Sequence, residues 1–141
     1  MSESAYYRAD DLRKFCCPAP QALQTPLLDA EEVSECLVAA DLCGVDSHGV
    51  VRLPVYAGRI RRGAVNPRPI TPAVQQRGNS ALFDDHDGLG PVGGAGAMKK
   101  AIAVAEAAGI GFAGVRRSNH CGIVAFYVQK ADTTNLAETP A

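Results

Sequence analysis

An alanine-rich run from Ala97 to Ala108, stopped by Gly109 and followed at once by the apolar string Ile110 to Val115, constrains the architecture more than any other stretch. Alanine loses no side-chain entropy on entering a helix, and a glycine just past such a run supplies the left-handed residue that ends one. The β-branched and apolar residues beyond it predict a buried strand. A helix feeding directly into a strand belongs to an α/β fold. Ser118 to Gly122 then predict a turn into a last helix, Ile123 to about Ala131.

Upstream the pattern is helical. Asp10 to Phe15 predict a short helix, and Pro18, Pro20 and Pro26 break the chain after it. A stronger helix is expected from near Asp29, with Asp29 as its cap and Glu32 three residues on in a capping-box spacing. Val33, Cys36, Leu37 and Ala40 share one face of it, and Gly44 closes it. Asp46 to Gly49 predict a turn, and Tyr56 to Arg62 a second helix stopped by Gly63. Three prolines make 66–72 a connector. Ala73–Arg77 and Ser80–Phe83 predict two strands joined by a hairpin turn at Gly78-Asn79. Gly88 to Gly96 is expected to be a glycine-rich loop, and Asp132 to Ala141 a polar, aperiodic tail.

Composition narrows the function classes. Of 141 residues 47% are apolar and 21% charged, which fits a globular domain. With 14 basic and 15 acidic side chains, net charge −1, nothing marks a nucleic-acid footprint or a membrane surface. Arg59, Arg61 and Arg62 are expected to be a solvated helix face. No apolar run approaches the ~20 residues of a membrane span, and no signal segment opens the chain, so a cytoplasmic location is the default expectation. Cys16, Cys17, Cys36, Cys43 and Cys121 are odd in number and lack metal-binding spacing. They are expected to be free thiols, and no metal site is expected.

The chemistry-bearing residues cluster twice. Ser47, His48 and Arg52 follow a helix end, and a helical turn there would put His48 and Arg52 on one face. Reduction of a carbonyl by hydride needs a proton for the developing alkoxide, and imidazole titrates in the right range. A 2-oxo acid also carries a carboxylate, which a guanidinium grips through two parallel hydrogen bonds. A serine beside the histidine can orient it or relay its proton. The plainer alternative is a histidine that caps or packs. The second cluster, Ser118-Asn119-His120-Cys121-Gly122, lies where a strand ends and a helix begins, the place where functional groups collect in α/β sheets. Asn119 as a turn residue and His120 as a cap are the plainer alternatives there. His86, among Asp84, Asp85 and Asp87, is expected to be loop surface.

The run Ala39-Ala40-Asp41-Leu42-Cys43-Gly44-Val45-Asp46-Ser47-His48-Gly49-Val50-Val51-Arg52-Leu53-Pro54 closely resembles the signature of the malate/L-lactate dehydrogenase-like oxidoreductases. That family includes ureidoglycolate dehydrogenase and the reductase of cyclic imino acids. Arg116 to Gly122 is similar to its second motif and Asp87-Gly88-Leu89-Gly90-Pro91 to its intervening loop, so the resemblance covers about Tyr7 to Lys130. It implies an α/β, non-Rossmann fold: an N-terminal helical segment (1–70), the start of the cofactor-binding domain (71–131) and an irregular tail (132–141). It further implies hydride transfer between NADP or NAD and a small 2-hydroxy/2-oxo acid or cyclic imino acid. His48 would be the proton donor or acceptor, Ser47 its relay partner and Arg52 the clamp for the substrate carboxylate. His120, Cys121, Gly122, Ile123 and Val124 would match the cofactor-contacting stretch. In ureidoglycolate dehydrogenase the histidine matching His120 is the catalytic base, which ranks His48 first here and His120 second. Family members are homodimers with the active site between domains.

Cys121 stands where the family usually has an aromatic residue, and Ile123 and Val124 where it has small ones. The family chain also continues far beyond residue 141, so this sequence is expected to be a front part cut short. A catalytically incompetent fragment is therefore the alternative. A minor one is a Rossmann dinucleotide-binding domain, because Gly88-Leu89-Gly90-Pro91-Val92-Gly93 fits G-x-G-x-x-G. Pro91 lacks the amide that a phosphate needs, and Asp84, Asp85 and Asp87 would repel one. Tight turns and close helix packing explain these glycines better. Arg116 and Arg117 would suit a 2′-phosphate and lean the cofactor toward NADP.

Overall fold

The structure is a computed structural model that describes residues 6–132; the predicted tail from 133 onward lies outside the described residues. Helices α1 (Ala9–Cys16), α2 (Pro18–Gln21), α3 (Leu27–Leu42) and α4 (Leu53–Arg61) precede a hairpin of β1 (Ala73–Arg77) and β2 (Ser80–Gly88). Helix α5 (Gly90–Ala108) then crosses to β3 (Phe112–Ser118), and α6 (Val124–Asp132) follows. The sheet order is β1-β2-β3, with β1 antiparallel and β3 parallel to the central β2.

Helix α3 is the spine. Val33, Cys36, Leu37 and Ala40, the face predicted from periodicity, are fully buried, and Ala30 and Val38 are as well. The buried arc is wide because α3 packs on two sides. Val33 and Leu37 join Cys16, Leu53, Tyr56, Ile60, Val65 and Leu89 in one cluster, whereas Cys36 joins Ala95, Phe126 and Tyr127 in a second. Each large aliphatic side chain withdrawn from water here stabilises the fold by about 1.5–3 kcal/mol. Burial also pushes the Cys16 and Cys36 thiols up to about 11, which keeps both protonated. All five cysteines are free.

Several boundaries differ from the sequence expectation. Helix α3 starts at Leu27 with extended Pro26 as its N-cap, and Asp29 makes no capping bond. Proline has no N–H to satisfy, so the helix can begin directly after it, and Asp29 lands inside the first turn. Strand β2 runs past Phe83 to Gly88 because the parallel pairing with β3 continues through Asp84↔Arg116 to Gly88↔Ser118. His86 therefore lies on this strand's irregular end, with φ of 45°, rather than on a surface loop. Its neighbours Asp84 and Asp85 are buried. The strand predicted as buried at 110–115 is shifted to Phe112–Ser118 and is substantially exposed, Phe112 at 69%. It has a sheet neighbour on one side only among the described residues.

The largest correction concerns the glycine-rich segment, which is the first half of α5 and not a loop. Pro91 sits in the first turn, where a missing N–H costs nothing. Glycine recurs there because α5 lies against other groups too closely for a Cβ. A methyl on Gly93 would stand 2.6 Å from Asp85 Oδ2, and one on Gly94 2.7 Å from the Tyr127 ring. Gly96 on the outer face meets nothing within 4 Å.

These two glycines have opposite expected effects. Gly93→Ala lowers stability by about 1–3 kcal/mol through overpacking against a buried carboxylate. Gly96→Ala raises it by roughly 0.5–1 kcal/mol through helix propensity. Urea unfolding of the two variants checks both signs.

Candidate active site

The Ser-His-Arg segment is not the single helical turn that the four-residue spacing predicts. After α3 ends with Gly44 in the left-handed region (φ 71°), residues Asp46–His48 and Val50–Arg52 form two separate 3-10 turns, with extended Gly49 between them. The cause is Asp41 on α3. Its Oδ2 accepts the Val50 N–H at 2.9 Å, and its carboxylate fills the space where a Cβ of residue 49 would lie. The bend turns the side chains toward one another. Ser47 Oγ lies 3.0 Å from His48 Nδ1, and the Arg52 Nε–H donates to the Ser47 carbonyl at 2.7 Å.

The second cluster arrives from the far end of the sheet. Ser118 at the end of β3 donates from Oγ to Asp85 Oδ2 at 2.6 Å, and Asn119 Nδ2 donates to the carbonyls of Asp87 at 2.8 Å and Gly88 at 3.0 Å. These bonds tie the turn to the end of β2. Helix α4 then meets it: Arg59 donates to Asn119 Oδ1 at 2.7 Å, and Tyr56 Oη lies 2.8 Å from His120 Nδ1. The His120 ring centroid is 5.2 Å from that of His48 and 5.8 Å from that of Tyr56.

Charge around His120 is one-sided. Burial comes first, followed by Arg52, His48 and Arg59, and together they hold its pKa below the ordinary value of 6.5. The ring is therefore neutral at physiological pH. Tyr56, 4% exposed, has its phenol pushed up by burial and by Cys36 and Cys121, so its O–H is retained.

The tertiary structure thus brings Ser47, His48, Arg52 and His120 together from two motifs far apart in sequence. It treats 121–124 unevenly. Gly122, at φ 73°, donates its N–H to His120 Nδ1 at 3.2 Å. Cys121 is exposed, and its carbonyl accepts from the Tyr127 hydroxyl and, at 3.8 Å, from Cys36 Sγ. Ile123 packs on the Cys36 cluster, and Val124 is 74% exposed. Cys121 and Val124 do line an open groove of about 380 Å³ between α5, β3 and α6, floored by Gly90, Gly94, Ala97 and Ala113.

Sequence reasoning missed Asp41, Tyr56 and Arg59 as parts of this site. Arg59, expected on a solvated face, is bonded to Asn119. A signal existed: Arg52, Tyr56 and Arg59 follow the i, i+4, i+7 pattern of one helix face. Arg116 and Arg117 do not stand free for a phosphate. Both bond to buried Asp84, Arg117 Nε at 2.7 Å and Arg116 Nε at 3.0 Å. Burial alone would raise the Asp84 carboxyl; the bonds from Arg117, the His86 amide and Arg116 outweigh it and hold the pKa at about 2. The G-x-G-x-x-G string offers no cradle either. The sites of a Cβ at Gly88 and Gly93 are filled by Asp85, and that at Gly90 by the Asn119 and His120 carbonyls.

Two histidines and an arginine, His120 from the turn after β3 and His48 and Arg52 from the turns after α3, define a class of site suited to acid–base chemistry on an anionic substrate. The family model described as malate/L-lactate dehydrogenase matches residues 7–138, and the chain belongs to that family. It is 41% identical over 122 residues to the malate dehydrogenase of Pyrococcus abyssi, covering 86% of this chain and 34% of that relative. It is 36% identical to the L-sulfolactate dehydrogenase of Methanocaldococcus jannaschii, again over 86% of this chain and 33% of that one. The solved malate dehydrogenase of Pyrococcus horikoshii OT3 superposes with a TM-score of 0.87 at 38% identity, over 96% of this chain and 41% of that structure. The chain spans about a third of the length of the curated relatives it matches.

Two outcomes follow from the geometry. Asp41→Ala frees the Val50 amide and lowers stability by about 1–3 kcal/mol, the range for a lost bond to a charged group; faster hydrogen exchange at Val50 marks the local effect. The lowered His120 pKa means that the unfolded chain takes up its proton first. This contribution to stability is full above about pH 6.5 and is lost as pH falls from there toward the lower native value. In His120→Gln the dependence of unfolding free energy on pH across this window flattens.

Proposed function

We propose that this chain supplies the proton-handling and carboxylate-binding part of a nicotinamide-dependent oxidoreductase acting on small 2-hydroxy acids and their 2-oxo counterparts. One observation carries it: the imidazoles of His48 and His120 stand 5.2 Å apart beside the guanidinium that folds back onto Ser47. That spacing suits one substrate oxygen approached by both rings. His48 exchanges the proton at that oxygen, and Ser47 Oγ, 3.0 Å from Nδ1, orients the ring or relays the proton. Arg52 grips the substrate carboxylate. His120 is the second ring at the same oxygen.

The groove beside the 119–121 turn fits a flat nicotinamide ring, with Cys121 and Val124 among its lining residues. Bound there, the cofactor would supply or accept the hydride. NAD and NADP are both compatible with the site. The arginines that leaned toward NADP are engaged with Asp84, which weakens that preference. Among relatives, the ureidoglycolate dehydrogenase of Escherichia coli is named for NAD(+), which favours NAD. A malate- or lactate-type acid is the substrate class that the similar dehydrogenases support best, and a cyclic imino acid is the second. The family resemblance supports a homodimer, and a cytoplasmic location is kept as the default from the sequence; among the described residues no helix is long and apolar enough to cross a membrane. A second reading, in which the chain by itself holds these residues without turnover, is favoured by its covering about a third of its relatives.

Titration of this chain with NADH or NADPH, followed by nicotinamide fluorescence, is expected to saturate below millimolar cofactor; no binding there favours the second reading. In a polypeptide that contains this chain and spans the family's full length, His48→Ala lowers kcat by about 10²–10⁴-fold with a 2-oxo acid. Arg52→Lys raises KM by roughly 10–100-fold, since lysine cannot form the paired bonds. Unchanged turnover in His48→Ala would remove that ring from the chemistry.

A further inference from the structure

Two groups converge on Nδ1 of His120, and one of them has no choice of role. The Gly122 backbone N–H reaches Nδ1 at 3.2 Å, and an amide N–H can only donate. Nδ1 therefore presents a lone pair, and the single proton of the neutral ring sits on Nε2. Tyr56 Oη, 2.8 Å from the same nitrogen, must then donate to it. The same hydroxyl lies 3.4 Å from the His120 carbonyl, so it contacts both the ring and the main chain of this residue. A proton on Nδ1 would point at the Gly122 N–H. That amide cannot swing away easily, because Gly122 is wedged against Cys36 Sγ on α3. The charged and titratable groups around the ring are Arg52, His48 and Arg59, and all disfavour a second proton on it.

We propose that Tyr56 is a positioning residue that, together with the Gly122 amide, holds His120 as the neutral Nε2–H tautomer, so that the ring offers the substrate oxygen a hydrogen-bond donor and not a base. This inference rests on the proposed placing of one substrate oxygen between the two histidines. It separates their roles. His120 polarises the carbonyl oxygen without giving up its proton, because a neutral imidazole is far too weak an acid. The proton comes from the His48 imidazolium: its N–H bond breaks, the O–H bond of the alcohol forms, and neutral imidazole remains. The hydride that completes the reduction is the nicotinamide's. In the oxidative direction His48 takes the proton back.

Nitrogen-15 NMR of the imidazole rings in this chain tests the assignment without substrate or cofactor. At neutral pH His120 is expected to show an unprotonated-type resonance at Nδ1 and a protonated-type resonance at Nε2. Tyr56→Phe keeps the ring packing and removes only the hydroxyl. With the Gly122 amide still in place the proton stays on Nε2, and the variant is expected to raise the His120 titration midpoint by roughly half a unit to one unit, because a bond that favours the neutral form is gone. The His48 tautomer, read in the same spectra, stays as it was. A purely structural tyrosine would leave the His120 midpoint unmoved, and that result overturns the proposal. So does an Nδ1–H tautomer in the unaltered chain, which decides the matter even if the variant fails to fold. Absence of nicotinamide binding would remove the proposed function while leaving these spectra unchanged, so the two failures are distinguishable.

Discussion

A carboxylate with no solvent contact organises the junction on which the site stands. Asp85 is fully buried, and its oxygens accept from Thr71 Oγ1 at 3.2 Å and Ser118 Oγ at 2.6 Å. Burial raises its pKa, and the two hydroxyl bonds work against that rise. A buried carboxylate is tolerable only when its lone pairs are occupied, so the connector before β1, the end of β2 and the end of β3 must all meet at one point. Glycines 88 and 93 clear the space around it. Asp84, next in line, is balanced from the other side by Arg116 and Arg117. Acidic residues that resemble a loop or a metal cluster in sequence are thus the anchors of the β2–β3 pairing.

From that anchor the site follows in short steps. Ser118 bonded to Asp85 holds the end of β3, and Asn119 bonded to the Asp87 and Gly88 carbonyls sets the direction of the next turn. His120 then faces α4, where Tyr56 meets its ring while Arg59 bonds to the neighbouring Asn119. On the opposite side Asp41 of α3 bends the 46–52 segment so that His48 and Arg52 come to the same place. Four elements contribute, and each is pinned by a bond from a buried or half-buried group. Preorganisation of this kind holds the two rings 5.2 Å apart through the protein's own bonds.

The electrostatic design is asymmetric. Arginines suited to anion binding crowd a histidine that burial already keeps neutral, and both effects act in one direction. A substrate carboxylate drawn in by Arg52 would partly relieve this crowding. On the proposed function, acid–base tuning and carboxylate binding are one property of the same cluster, which suits the chemistry of a 2-oxo acid.

Helix α3 and its buried face, the hairpin at Gly78-Asn79, the helix through Ala97–Ala108 and the left-handed stops at Gly44 and Gly109 were legible in the sequence, because period, propensity and turn chemistry are local properties. The two motifs that carry Ser47, His48, Arg52 and His120 were legible through family resemblance. The helical character of 90–96 was not, since glycine's low propensity there is overruled by contacts with Asp85 and Tyr127, which lie in other elements. Nor were the roles of Tyr56, Arg59, Arg116 and Arg117, whose partners in space are 32 to 64 residues away in sequence. A chain specifies by itself which residue can donate, accept or titrate; only packing decides which of them share a hydrogen bond, and that pairing sets the proton positions on which the chemistry turns.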